Sequence, residues 1–138
     1  MRKIQVLPAD IVKRLESLPA ILAAHEKVVF AYLFGGMAKG EVRPLSDVDI
    51  ALYLTTMENL AEVKLDLIGV IADALGTDEF DLVILNSARI SLVGRILHQR
   101  LVLVDKAPPQ RHLFESLMNR KFFDFKRKEE TLLRQRFG

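Results

Sequence analysis

Two aspartates one residue apart, Asp47 and Asp49, open an apolar run and follow the glycine pair Gly35-Gly36 after an interval of ten residues. In an extended chain side chains alternate between faces, so Asp47 and Asp49 point one way while Val48, Ile50, Leu52 and Leu54 point the other. Burying the aliphatic set in a core therefore forces both carboxylates onto the opposite face of the same sheet. Such a pair is costly there, because a carboxylate removed from water needs a partner and two neighbours repel. A divalent cation offsets both effects. Magnesium commonly takes one or two protein carboxylates and completes its octahedron with water and phosphate oxygens, so the pair reads as half of a site.

The other half is expected from the glycines and from a third acid. The strand-like run from Val28 to Phe34 ends at Gly35-Gly36, where the chain can turn tightly and bring backbone N–H groups close to an anion. Downstream, Glu79-Phe80-Asp81-Leu82-Val83-Ile84-Leu85-Asn86 reads as a further strand with Asp81 near its start. If that strand lies beside the one carrying Asp47 and Asp49, three carboxylates meet opposite the glycine turn. That is the arrangement of a two-metal centre for in-line attack on a phosphate. The chain has no cysteine, and His25, His98 and His112 are scattered without ligand spacing, which leaves oxygen ligands and a hard cation.

Hydrophobic periodicity supplies the scaffold. A helix is expected from Pro8 to Ala24 with Ile11, Leu15, Leu18 and Leu22 on its apolar face, bent or divided at Pro19. Strands are expected at 27–34 and 47–54, then a helix carrying Leu60, Val63, Leu67, Ile71 and Leu75 and closed by Gly76. The strand carrying Asp81, a short helix with Ile90, Val93, Ile96 and Leu97, and a strand at 101–104 complete the core. Pro108-Pro109 ends that last strand and opens a long charged helix. The pattern predicts an α/β (α+β) domain, a small sheet with helices packed on one face and a long C-terminal helix.

The stretch Phe34-Gly35-Gly36-Met37-Ala38-Lys39-Gly40-Glu41-Val42-Arg43-Pro44-Leu45-Ser46-Asp47-Val48-Asp49-Ile50 resembles the signature of the polymerase-beta-like nucleotidyltransferases. More narrowly, it resembles the minimal nucleotidyltransferases (MNT) that serve as antitoxins beside HEPN-domain toxins. Their pattern is Gly-Ser, ten residues, then Asp-x-Asp, with a basic-Gly-Glu-x-Arg-Pro-x-Ser-Asp segment between, and the spacing here is complete. The resemblance covers about residues 28–86. It implies a mixed sheet of the polymerase-beta-like fold, two Mg2+ ions on Asp47, Asp49 and Asp81 as catalytic carboxylates, and a nucleoside triphosphate held through Gly35, Gly36 and Lys39. The implied reaction is transfer of AMP from ATP to a tyrosine hydroxyl of a cognate HEPN ribonuclease toxin, which silences it. One residue departs from the pattern: Gly36 stands where the family has serine. The missing hydroxyl would bond the outer phosphates, an interaction of about 1.5–3 kcal/mol, although the Gly36 N–H remains. Two alternatives stay open at this stage, an antitoxin that neutralises its toxin by binding alone and a small-molecule nucleotidyltransferase of the aminoglycoside-modifying kind.

Charge and length narrow the partners. The 138 residues read as one domain, 1–138, with 108–138 a basic C-terminal segment: residues 106–138 carry nine basic and four acidic groups, against 11 and 14 before them. A basic segment attracts acidic proteins, nucleic acids or membranes alike. No second domain for a tRNA or primer is recognisable, so a protein acceptor is favoured over nucleic acid. Neither a membrane span nor a signal peptide is evident, and a cytoplasmic location is expected. The apolar set Phe114, Leu117, Met118, Phe122, Phe125, Leu132 and Leu133 is expected to pack mostly on the domain and to leave room for assembly with a partner or a second copy.

Overall fold

The seven residues of β1 (Val28–Phe34) are all apolar or aromatic and nearly all buried, which marks a central strand covered on both faces. The computed structural model describes residues 8–36 and 48–137; the expectations for Lys39 and Asp47 lie outside the described residues. Two short helices precede β1, α1 (Ile11–Leu15) and α2 (Leu18–Ala23). Pro19 divides them: it occupies the second position of α2, where a missing N–H leaves no helical bond unmade. After β1 come β2 (Val48–Leu54), α3 (Leu60–Leu75), β3 (Phe80–Ile84), α4 (Ile90–His98), β4 (Arg100–Asp105) and α5 (Pro108–Phe137). Gly76 closes α3 as expected, with φ 69° and its N–H 2.9 Å from Ala72 O.

The strands form one mixed sheet in the order β3-β2-β1-β4. β1 is antiparallel to β2 and β4, whereas β2 and β3 are parallel and joined through α3. One face buries Val48, Ile50, Leu52 and Leu54 of β2 against Ile11, Leu18, Leu22, Leu67, Ile71 and Leu75 of α1, α2 and α3. Here the expected single covered face is found, and the opposite face is covered as well. Phe30, Tyr32 and Ala51 are too apolar to leave in water, and they pack under Val93, Ile96 and Leu97 of α4 and Phe114 and Met118 of α5. Phe30 stacks on Tyr53 with centroids 4.7 Å apart, and Phe114 meets Tyr53 edge-on at 5.1 Å.

β3 is shorter than the expected 79–86 because Asn86 leaves the ladder. Its side chain instead accepts from Leu54 N and donates to Leu54 O, each at 2.9 Å, and seals the far end of β2. α5 departs further from expectation. Phe114, Met118, Phe122 and Phe125 are half-buried, but Leu117, Leu132 and Leu133 are exposed, and every residue from Lys126 to Arg136 faces solvent. Thirty residues at 1.5 Å each give a helix of about 45 Å, longer than the layer it covers.

Candidate active site

The register of the sheet brings two of the predicted acids together. β2 and β3 are paired with Asp49 beside Asp81, and β1 sets Phe34 on the other side of Asp49. Neighbouring strands lie about 4.8 Å apart, so the two residues are immediate neighbours in the sheet. Alternation puts Asp49 on the face of Ala51 and Tyr53, and Asp81 on that of Val83, which in both cases is the face under α4 and α5. Asp81 is exposed and Asp49 half-buried at the strand ends.

The glycine turn is packed against this pair. Gly35 has φ 74°, in the left-handed region, and a Cβ built on it would run into Asp49 Oδ2. Only a residue with no side chain satisfies both conditions, which gives Gly35 a reason that sequence could state only as a turn. Gly36 continues the turn; among the described residues the glycines with positive φ are Gly35 and Gly76. Among the described residues no three His, Cys, Asp or Glu side chains form a metal-binding group. The described part of the acidic cluster is Asp49 and Asp81, and Asp47 immediately precedes β2 outside it.

Sequence reasoning missed the fourth member of this row. Across the sheet Asp81, Asp49, Phe34 and Arg100 stand side by side on successive strands. Arg100 grips Glu115 of α5 through two nitrogens, each at 2.9 Å, and its guanidinium lies 5.5 Å from the centroid of the Tyr32 ring. Tyr32 donates its hydroxyl to Glu115 at 2.6 Å, and Arg111 Nη1 donates at 2.9 Å. Arg111 Nε also lies 2.9 Å from Asp105 Oδ2, an ion pair rather than an aligned hydrogen bond. Burial by itself would raise the pKa of Glu115, but the bonds from Arg100, Tyr32 and Arg111 outweigh it and hold the carboxyl at about 2. Burial, and then donation to Glu115, push the Tyr32 hydroxyl up. The network fastens the start of α5 across β1 and β4. A hydroxyl in an otherwise apolar strand required a partner, but that partner lies 83 residues away and no local pattern names it.

His25 Nε2 is 2.8 Å from Asp66 Oδ2, and His98 bonds Gly94 O at 2.7 Å and meets the Phe122 ring edge-on.

Residues 16–108 match the polymerase beta nucleotidyltransferase domain. The chain belongs to that family. No curated protein matches the sequence. Several solved structures share the nucleotidyltransferase fold over nearly their whole length. A chain of a toxin-antitoxin complex with AMP-PNP is 24% identical with TM-score 0.71, covering 90% of this chain and 98% of that one. A chain of the tri-AMPylated HEPN toxin in complex with MNT antitoxin from Shewanella oneidensis is 22% identical with TM-score 0.67, covering 92% and 98%. A chain of a MntA-HpeT toxin-antitoxin complex with a tyrosine-to-alanine change is 25% identical with TM-score 0.66, covering 94% and 96%. The likeness to these chains is one of fold, over 90–94% of this chain. No helix among the described residues is long and apolar enough to cross a membrane.

Proposed function

We propose that this nucleotidyltransferase transfers AMP from ATP to a protein hydroxyl, a tyrosine of a cognate HEPN toxin, and so acts as an antitoxin. The single observation that carries the chemistry is the in-register pairing of Asp49 with Asp81 against the Gly35 turn. That arrangement fits magnesium: two oxygen donors share one face, and the adjacent cradle is one that any Cβ would fill. Asp47, Asp49 and Asp81 are the residues that would hold the ions. Bound there, magnesium supplies the charge that offsets the departing pyrophosphate and lowers the pKa of the attacking hydroxyl.

The chain's own residues do the rest. The N–H groups of Gly35 and Gly36, with Lys39, steady the outer phosphates, where charge accumulates as the reaction proceeds. The acceptor oxygen forms a bond to the α-phosphorus while the bond to the bridging oxygen breaks, and pyrophosphate leaves with that electron pair. Asp81, exposed at the mouth of the site, accepts the hydroxyl proton. The relatives seen with HEPN toxin and with AMP-PNP support the same partner and donor.

The test is incubation of the pure protein with ATP labelled at the α-phosphate, magnesium and the cognate HEPN protein, sought as the product of the neighbouring gene. The expected result is label on a tyrosine of that protein, abolished by Asp47→Asn with Asp49→Asn in a protein that still folds. Label retained by the double variant would overturn the site assignment. A stable complex without label would leave binding alone as the antitoxin activity.

A further inference from the structure

We propose that the free end of α5 is a docking arm for the acceptor protein, an acidic and partly apolar surface held beside the transfer site. The inference rests on the reading of the chain as a protein-modifying nucleotidyltransferase and adds the surface that recognises the acceptor. Its first support is direction. α5 starts at the end of the sheet marked by Asp105, where Arg111 contacts it, and advances to Arg100, which Glu115 grips. Arg100 lies in the row of Asp81, Asp49 and Phe34, so α5 travels toward the acidic end of the sheet. Phe122 then meets His98, the last residue of α4. Phe125 is still half-buried after that contact, and from Lys126 to Arg136 every residue is exposed as the helix continues in the direction of the candidate active site.

Composition is the second support. From Lys126 to Arg136 the arm carries Lys126, Arg127, Lys128, Arg134 and Arg136 against Glu129 and Glu130, while residues 1–105 are net acidic. The net charge of residues 1–105 is thus opposite to that of the arm, yet the arm's residues from Lys126 to Arg136 remain exposed. Leu132 and Leu133 are 65% and 53% exposed in the middle of these cations, and Phe123 is 62% exposed about two and a half turns before them. A helical segment of this length is marginal in water unless something packs on it. Cations around an apolar centre fit an acidic protein surface with an apolar patch. Nucleic acid would use the cations but leave the leucines in water and face Glu129 and Glu130.

The arm variant is Arg127→Glu, Lys128→Glu, Leu132→Asp and Leu133→Asp together in the full-length chain, all at exposed positions. The probes are the cognate HEPN protein of the proposed function, sought as the product of the neighbouring gene, and a short single-stranded RNA, and ATP binding serves as the control for a folded site. The expected result is at least a tenfold loss of HEPN binding and a matching rise in the HEPN concentration needed for half-maximal labelling, with ATP binding and maximal labelling unchanged. Variant and native proteins that bind and label the HEPN protein alike would overturn the arm and leave the transfer reading standing. A variant defective only in RNA binding would overturn it in favour of nucleic acid. If even the native protein neither binds nor labels the HEPN protein, the transfer reading fails, and the arm proposal falls with it.

Discussion

Replacing Gly35 with alanine probes the contact between the turn and the carboxylate, and the structure allows its effect to be divided. Holding alanine in the left-handed region costs about 1–2 kcal/mol. The new methyl also meets Asp49 Oδ2, and pushing that carboxylate off its rotamer costs about 0.5–1.5 kcal/mol. The sum, about 1.5–3.5 kcal/mol, should appear as a lower urea midpoint with an unchanged slope. In an Asp49→Ala background the clash disappears, because the nearest remaining atom of residue 49 is Cβ at 3.7 Å, an ordinary contact. Backbone strain alone then remains, and Gly35→Ala should cost only about 1–2 kcal/mol. The four proteins form a cycle whose coupling energy is expected near 0.5–1.5 kcal/mol. A coupling below about 0.3 kcal/mol, the usual error of additivity, would refute the claim that the turn and Asp49 are packed together. Transfer activity should fall with the same substitution, at least tenfold, as the displaced oxygen leaves its working position.

Three further outcomes are expected. Glu115 titrates at about 2 in the folded protein against 4.5 when free, so its stabilisation is complete above pH 4.5 and lost as pH falls toward 2. Over that window the stability of the native protein should drop toward that of Glu115→Gln by about 2 kcal/mol after allowance for solvent screening, and parallel pH profiles would contradict the network. Asp81→Asn removes one of two like charges directly beside each other, so in chelator it should raise stability by about 0.2–1 kcal/mol. The same variant should lose the rise in Tm that magnesium with a non-hydrolysable ATP analogue gives the native protein, and an undiminished rise would count against Asp81 as a ligand. Gly36→Ser should leave labelling equal or faster, since the left-handed position of the turn is Gly35; a large loss would mean that the turn needs glycine at both places.

The period of the apolar residues was enough to anticipate the elements, because most strands and helices here bury one clear face. Val48, Ile50, Leu52 and Leu54 did point into the core, and Asp49 away from it, as alternation required. What alternation could not supply was which strands are neighbours. The pairing of Asp49 with Asp81 depends on the α3 crossover placing β3 parallel to β2, a relation visible only once chain direction and order are known. The second covered face was missed for a related reason: Phe30 and Tyr32 in a strand of apolar residues give no alternation to read. Which members of the α5 apolar set would pack was not legible, because Leu132 and Leu133 look like core residues in a one-dimensional pattern and yet are exposed.

Topology also explains why the chemistry gathers at one end of the sheet. β1 is antiparallel to both neighbours, so the end that delivers Gly35 coincides with the start of β2, which carries Asp49, and with the start of β4, which carries Arg100. Because β3 is parallel to β2, its start, with Asp81, falls at that same end. A four-stranded sheet with any other orientation of β3 would separate the acids by the length of a strand. The opposite end is spent on order instead: Asn86 seals β2, and Phe30, Tyr53 and Phe114 form the aromatic cluster on which α5 begins. Crowded carboxylates weaken the end where they stand, and Arg100, Glu115 and Tyr32 brace that same end from β4, α5 and β1. α5 connects the two ends, held by Asp105 through Arg111 at one and by Arg100 through Glu115 at the other.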